Sequence, residues 1–267
     1  MAERPRAKKS LGQNFLVDPN LQRKIVAALE AGPDDEVLEI GPGQGALTEH
    51  LEGRVRRLVL VELDDALAAN LQTRFRGRSD VEVVHGDVLT TPLNDHVEHP
   101  SALRVLGNIP YNITTPILFR ILERPRPAVI VLMVQLDVAD RIVAPVGTGA
   151  YGALSVGVRS VAHVTRLFKV ARGAFRPVPR VDSAIIRIEP FRPERTTPEI
   201  EARLRTLVRA AFQWRRKQLG TILRDHPDIS CSEAASRKAA ARANITLTDR
   251  PERLSPEAFI ELVLALP

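Results

Sequence analysis

From Glu36 to about Pro190 the chain alternates short, nearly continuous apolar runs with longer amphipathic ones. EVLEIG (36–41), RLVLVEL (57–63), VEVVHG (81–86), LRVLGN (103–108) and AVIVLMVQ (128–135) are rich in β-branched residues and read as strands. GALTEHLE and DDALAANLQTRF, which follow the first two, read as helices. Unbroken apolar runs suit strands buried on both faces, so the pattern predicts an open, doubly wound α/β sheet covered by helices. VTRLFKV (164–170) and SAIIRIEP (183–190), separated by the proline-rich RPVPRVD, are expected to form a closing antiparallel pair. After Pro190 the polar FRPERTTPE reads as a linker, and the pattern becomes helical. In IEARLRTLVRAAFQW, Leu204, Leu207, Val208, Ala211 and Phe212 recur at helical spacing. SEAASRKAAARA and SPEAFIELVLAL add two more helices with Ser232 and Ser255 as N-caps. The expected division is therefore a main domain over 1–190 and a small all-α domain over 191–267. No internal repeat or low-complexity tract interrupts it.

Composition narrows the chemistry. At 267 residues and 44% hydrophobic, the chain can bury a sizeable core. Its longest apolar run, Ala128 to Val134, falls far short of the roughly 20 residues that span a bilayer. The N-terminal basic residues Arg4, Arg6, Lys8 and Lys9 lack an apolar stretch behind them, so no secretory signal, no membrane segment and a cytoplasmic location are expected. Cys231 is the only cysteine, which excludes an internal disulfide and a cysteine-built metal site. His96 and His99 are the closest histidine pair and have no third ligand candidate nearby, so no metal is expected. Nothing in the sequence points to a dimer, and a monomer is expected.

Charge points to a polyanion. The formal net charge is +6, and Arg203, Arg205, Arg209, Arg215, Arg216 and Lys217 follow one another with no acidic residue between them. Such a cluster is either a solvated helix face or a nucleic-acid contact, for which Arg215, Arg216 and Lys217 are the candidates.

EIGPGQGALTEHLE places Gly41, Gly43 and Gly45 between the first strand and its helix, where the backbone must turn tightly and approach a ligand. Glu62, at the end of the second strand, is placed to accept hydrogen bonds from both hydroxyls of a ribose. Gly41 to Ala46 also fits the dinucleotide fingerprint, so a dehydrogenase is a rival reading. Against it stand Asp87, directly after the third strand and suited to the exocyclic amine of the adenine of S-adenosylmethionine, and the lack of a proton-relay His or Lys at a later strand end. The fourth strand then ends in NIPY, Asn108 to Tyr111. The Asn108 carboxamide oxygen and the Pro110 carbonyl can each accept one hydrogen of an adenine amine, and Tyr111 can stack on the base. That amine is a poor nucleophile because its lone pair is delocalised, so orienting it is the main task. Phe175, in the proline-stiffened GAFRPVPRVDS, is a candidate for the second face of the base or, equally, for the core.

SLGQNFL (10–16), EIGPGQGALT (39–48), VELD (61–64), GDVL (86–89), GNIPYNITTP (107–116), AYGALSV (150–156), FRPVPRVDSAIIRIEP (175–190), RRKQL (215–219) and RPERLSPEAF (250–259) occur together and in order. The chain thereby resembles, over nearly its whole length, the rRNA adenine dimethyltransferases that modify two adjacent adenosines near the 3′ end of small-subunit rRNA. The resemblance implies a Rossmann-like class I methyltransferase sheet with S-adenosylmethionine as methyl donor. Asn14, Leu16, Gly41, Gly43, Glu62, Asp87 and Asn108 would contact that donor, and Asn108, Pro110, Tyr111 and Phe175 would form the adenine pocket. It also implies docking of the C-terminal domain on the immature small subunit. Two positions depart from the family pattern: Leu136, where a Gln-Lys-Glu run is usual, and Ala153, where an arginine is usual. Two rivals remain at this point: macrolide-resistance methylases, which share the fold and act on a large-subunit rRNA adenosine, and an assembly factor that acts mainly by binding.

Overall fold

The computed structural model describes Lys8 and residues 12–267. Arg4, Arg6, Lys9, Ser10 and Leu11 lie outside the described residues. The chain forms two compact units, one of residues up to Ala139 with Thr165–Pro190, the other of Asp140–Val164 with Phe191–Pro267.

The apolar runs become strands of one seven-stranded sheet: β2 (Glu36–Ile40), β3 (Arg57–Glu62), β4 (Val81–His85), β5 (Arg104–Asn108), β6 (Val129–Gln135), β7 (Ala162–Val170) and β9 (Ser183–Pro190). Their order is β4-β3-β2-β5-β6-β9-β7. The first five are mutually parallel, and β9 joins β6 antiparallel. β2 is buried at every position and β6 at all but its last, as unbroken apolar runs require. β1 (Phe15–Leu16) and β8 (Phe175–Arg176) form a separate antiparallel pair with Leu16 opposite Phe175, an element that two-residue strands do not announce in sequence.

Topology fixes where a ligand can sit. The chain runs outward from β2 through β3 to β4 and returns to β5 on the other side of β2. The strand order therefore reverses between β2 and β5, where Ile40 lies opposite Gly107. A crevice opens at the carboxyl ends of such a reversal. The glycine turn follows β2 and NIPY follows β5, so both motifs flank it. Around the sheet lie α1 (Pro19–Ala27), α2 (Thr48–Leu51), α3 (Asp65–Arg74), α4 (Thr114–Ile121) and α5 (Leu136–Val143). Ile25 and Leu29 from α1 and its end, and Leu71 and Phe75 from α3 and its end, pack with Leu60, Leu106, Val131 and Met133 in one core. α2 is a single turn, shorter than GALTEHLE suggests, because the backbone at Gly41, Gly43 and Gly45 is still left-handed.

The second unit holds α6 (Ala153–Arg159), α7 (Pro198–Gln213), α8 (Leu219–Asp225), α9 (Glu233–Arg242) and α10 (Pro256–Ala265). Ser232 and Ser255 cap α9 and α10 as expected, accepting from the Ala235 and Ala258 amides. The division at Pro190 omits one thing: residues 140–164 belong with the helical tail. Ala144, Tyr151 and Val156 share a core with Leu207, Ala211, Leu219 and Phe259, and the Tyr151 hydroxyl donates to the Leu254 carbonyl at 2.8 Å. A tyrosine this deeply buried needs that acceptor. Ala153 packs against the same core. No helix among the described residues is long and apolar enough to cross a membrane.

Candidate active site

A cleft of about 330 Å³ opens at the β2/β5 switch point, lined by Asn14, Leu16, Gly41, Gly43, Glu62, Asp87, Asn108, Pro110 and Tyr111 among others. One wall is the glycine turn. Gly41 and Gly43 have φ of +65° and +60°, and a Cβ on Gly43 would stand 3.2 Å from the Phe15 ring. Any side chain at Gly43 would thus be strained and would crowd the N-terminal segment that closes over the turn.

Glu62 is almost fully buried. Its Oε2 accepts from the Gly43 amide and its Oε1 from the Asp64 amide, both at 2.9 Å. A carboxylate offers about four acceptor positions, so roughly two remain for a ligand. Burial pushes its carboxyl above the usual range, against those amide bonds. Asp64, the next acidic residue, caps α3 through the Ala66 and Leu67 amides and pairs with Lys8 at 2.9 Å. Gln13 donates to the same carboxylate at 3.1 Å, tying the N-terminal segment to the wall. Asp87 Oδ1 accepts from the Leu89 amide at 2.9 Å, which holds the carboxylate at the cleft edge.

The opposite wall is NIPY. Asn108 Nδ2 donates to the Asn14 carbonyl at 3.0 Å, which fixes the carboxamide plane and leaves Oδ1 as an acceptor. The Pro110 carbonyl already accepts two long bonds, from the Ile113 amide and Thr114 Oγ1, each at 3.3 Å. The hydroxyls of Tyr111 and Ser183 lie 2.5 Å apart, and burial pushes the Tyr111 phenol up, so it stays neutral and able to donate.

Phe175 requires a correction. Its ring is 0% exposed and belongs to the core around Val131 and Ile185, and it does not line the cleft. It is linked to the site through Leu16, with which it pairs along the backbone and shares a core. The core alternative, open in the sequence, describes its ring.

Three residues that the sequence reading passed over belong here. Glu39 lines the cleft at 1% exposure, accepts from Thr48 Oγ1 at 2.7 Å and is pushed up to about 7 by burial. A carboxyl in the interior of EVLEI, between Leu38 and Ile40, was the available signal. Ser183 and Gln13 act through contacts distant in sequence, and nothing local marks them.

In the helical unit the basic cluster divides. The Arg215 guanidinium donates to the Gly149 and Thr148 carbonyls at 3.0 and 3.1 Å, Arg203 donates to the Leu266 and Pro267 carbonyls, and Arg209 pairs with Asp228. Arg216 and Lys217 are exposed. His96, weighed as a metal ligand, bonds Glu82 at 2.7 Å.

Residues 4–263 match the profile of a family described as ribosomal RNA adenine dimethylase. The chain is 42% identical to a ribosomal RNA small subunit methyltransferase A of Geobacter metallireducens, covering 98% of this chain and 96% of that one. It is 40% identical to the protein of the same name from Pseudomonas aeruginosa, covering 96% and 93%. Among solved structures it is similar to a dimethyladenosine transferase from Plasmodium falciparum, with a TM-score of 0.81, 26% identity and coverage of 94% and 96%. The 23S rRNA methyltransferase ErmE gives a TM-score of 0.70 with 30% identity over 95% and 99%.

Proposed function

The chain belongs to the ribosomal RNA adenine dimethylase family, and from that premise we propose that it methylates two adjacent adenosines near the 3′ end of small-subunit rRNA, each twice at N6. The methyl donor of such enzymes is S-adenosylmethionine. The observation that carries the chemistry is Asn108, whose carboxamide is held through Nδ2 at the cleft lip while Oδ1 stays available. The small-subunit target is supported by relatives of that name at 40–42% identity, against 30% for the large-subunit enzyme.

The residues present fit the donor. Glu62 has acceptor capacity for a ribose, Asp87 stands where an adenine amine can be met, and Asn14, Leu16, Gly41, Gly43 and Asn108 complete the wall. Two buried carboxyls, Glu39 and Glu62, whose charged forms burial disfavours, suit a ligand bearing positive charge. When bound, S-adenosylmethionine supplies an electrophilic methyl group whose departure relieves its sulfonium charge. Asn108 Oδ1 accepts one N6 hydrogen and the Pro110 carbonyl, bound only by long bonds, accepts the other. These contacts turn the amine lone pair toward the methyl group, and Tyr111 stacks on the base. Positioning supplies most of the acceleration, and no strong base is needed. After each transfer the surplus N6 proton leaves to solvent.

The working setting is the cytoplasm, on the immature small subunit, with the protein as a monomer. Of the three basic residues singled out in RRKQL, Arg216 and Lys217 contact rRNA, and Arg215 braces the loop that carries Gly149. Charge reversal at Arg216 and Lys217 should weaken subunit binding and flatten its salt dependence, by about one unit of slope per phosphate lost. Unchanged binding at every salt concentration would remove the tail from the docking surface. The main test is transfer of labelled methyl from S-adenosylmethionine to unmodified small and large subunits, followed by mapping. Dimethyladenosine at two adjacent small-subunit positions supports the reading. Label on the large subunit overturns the target, and no label on either favours a factor that acts by binding.

A further inference from the structure

Beside the cleft, which Phe15 and Leu16 of β1 line, β8 and the loop that follows it make, with Val17, a ledge whose outer surface the cleft chemistry does not use. Val17 extends β1, its amide donating to the Ala174 carbonyl at 2.9 Å. Arg176 lies opposite Phe15, and Ser183, which anchors Tyr111, directly follows the loop. The ledge is thus tied at one end to the N-terminal wall of the cleft and at the other to its lip.

Its composition is one-sided. From Val170 to Val181 there is no acidic residue, but there are Arg172, Arg176 and Arg180. Asp182, which closes the stretch, is neutralised by Lys169 at 2.7 Å and accepts from the Arg172 amide. Arg172 and Arg176 rest against backbone carbonyls of the loop itself. Among the described residues the Arg180 guanidinium has no partner. Interleaved with these charges are three of the seven large hydrophobic side chains exposed among the described residues: Val17 at 46%, Val178 at 54% and Val181 at 41%. Such side chains scattered singly need no explanation, but grouped they mark a contact surface. A second copy of this chain is a poor occupant, because it would set arginines against arginines. A polyanion with flat apolar faces fits both features.

We propose that this ledge grips the single-stranded rRNA flanking the target adenosine, with phosphates on Arg172, Arg176 and Arg180 and ribose or base faces on Val17, Val178 and Val181. The inference rests on the reading that the cleft methylates an rRNA adenine. A flipped base needs its neighbouring nucleotides held, and backbone contacts fix register without reading sequence. The loop-braced arginines lose little freedom on binding, and guanidinium forks match phosphate oxygens.

The test is equilibrium binding of the full-length protein to unmodified small subunits over a range of salt, with the KM for subunits and S-adenosylmethionine affinity measured in parallel. R172Q/R176Q/R180Q should lower the salt slope by about two to three and raise KM about tenfold, with donor affinity retained. R180Q alone should lower the slope by about one. R54Q, an exposed arginine of the same unit, should change neither quantity. Wild-type slope and KM in the triple variant overturn the proposal. If the triple variant loses donor binding through misfolding, R180Q decides, since its guanidinium braces nothing, and an unchanged slope there also overturns it. Binding needs no turnover, so the ledge and the proposed reaction fail separately: absence of methyl transfer by the wild type refutes the reaction, whereas an intact slope in the variants refutes the ledge.

Discussion

On the side of the cleft proposed for the methyl donor Glu62 is clamped by two backbone amides and the glycine turn is enclosed by Phe15, whereas on the side proposed for the adenine acceptor Asn108 and Tyr111 each hang on one side-chain bond to a distant element. Asn108 reaches back to Asn14, and Tyr111 reaches forward to Ser183. The centre of the donor wall, Glu62 held by the Gly43 and Asp64 amides, is therefore set where β2 and β3 pair, and the N-terminal segment closes over it through Phe15. The acceptor wall is complete only when the N-terminal segment and β9 are both in place. A rigid half suits a donor of fixed shape, and a half held by few bonds can adapt as an amine becomes a methylamine and then a dimethylamine.

The largest effect expected from this contrast is at Asn108. Asn108→Ala removes both the tie to Asn14 and the free acceptor, and should lower kcat by about 10²–10³-fold, as loss of one preorganised polar contact does elsewhere. Unfolding should shift by only about 1 kcal/mol, the worth of one hydrogen bond. Single-turnover kinetics beside a melting curve separates the two. Normal turnover would break the comparison at its acceptor half.

Next comes a cost paid on the donor side. Burial sets the Glu39 carboxyl at about 7 against an ordinary 4.5, with Thr48 donating to it, Glu62 as a like charge and Arg74 as the nearby cation. Between those two values the folded protein holds a proton that the unfolded chain has released. Stability is thus fully present below the lower value and falls as pH rises through the higher, by about 3 kcal/mol in all. Glu39→Gln keeps an acceptor for Thr48 and cannot ionise. Its Tm should therefore decline less than that of the wild type from about pH 5 to pH 8. Parallel Tm profiles for the two proteins would mean that the donor wall carries no such electrostatic burden.

The same contrast explains what the sequence made legible. β2 to β6 were readable because strands buried on both faces leave continuous apolar runs, and the donor wall because its glycines and Glu62 sit at strand ends in a fixed local order. Long-range pairings left no such mark. Leu16 opposite Phe175 draws an aromatic ring into the core that its loop position made a base-stacking candidate. Arg215 looks like its neighbours Arg216 and Lys217 until the Gly149 and Thr148 carbonyls meet it. Residues 140–164 carry a mixed pattern that fits either unit, and only the shared core with Phe259 and Leu207 assigns them. Ser183 reads as an ordinary strand residue because its role depends on a tyrosine 72 positions away.

The smallest predicted effect sharpens the acceptor half most. Ser183→Ala leaves the Tyr111 hydroxyl without its partner, at about 1 kcal/mol, and frees the ring to rotate. Ser183 acts here as a positioning residue, so kcat/KM for the subunit should drop several-fold while S-adenosylmethionine affinity holds. Tyr111→Phe keeps the ring, removes the hydroxyl and should give a similar loss. If one bond accounts for both, the double variant should be no worse than either single one, because interacting residues are non-additive. Losses that multiply in the double variant would show that the two side chains act independently and that packing around the Tyr111 ring, not the hydroxyl contact, positions it.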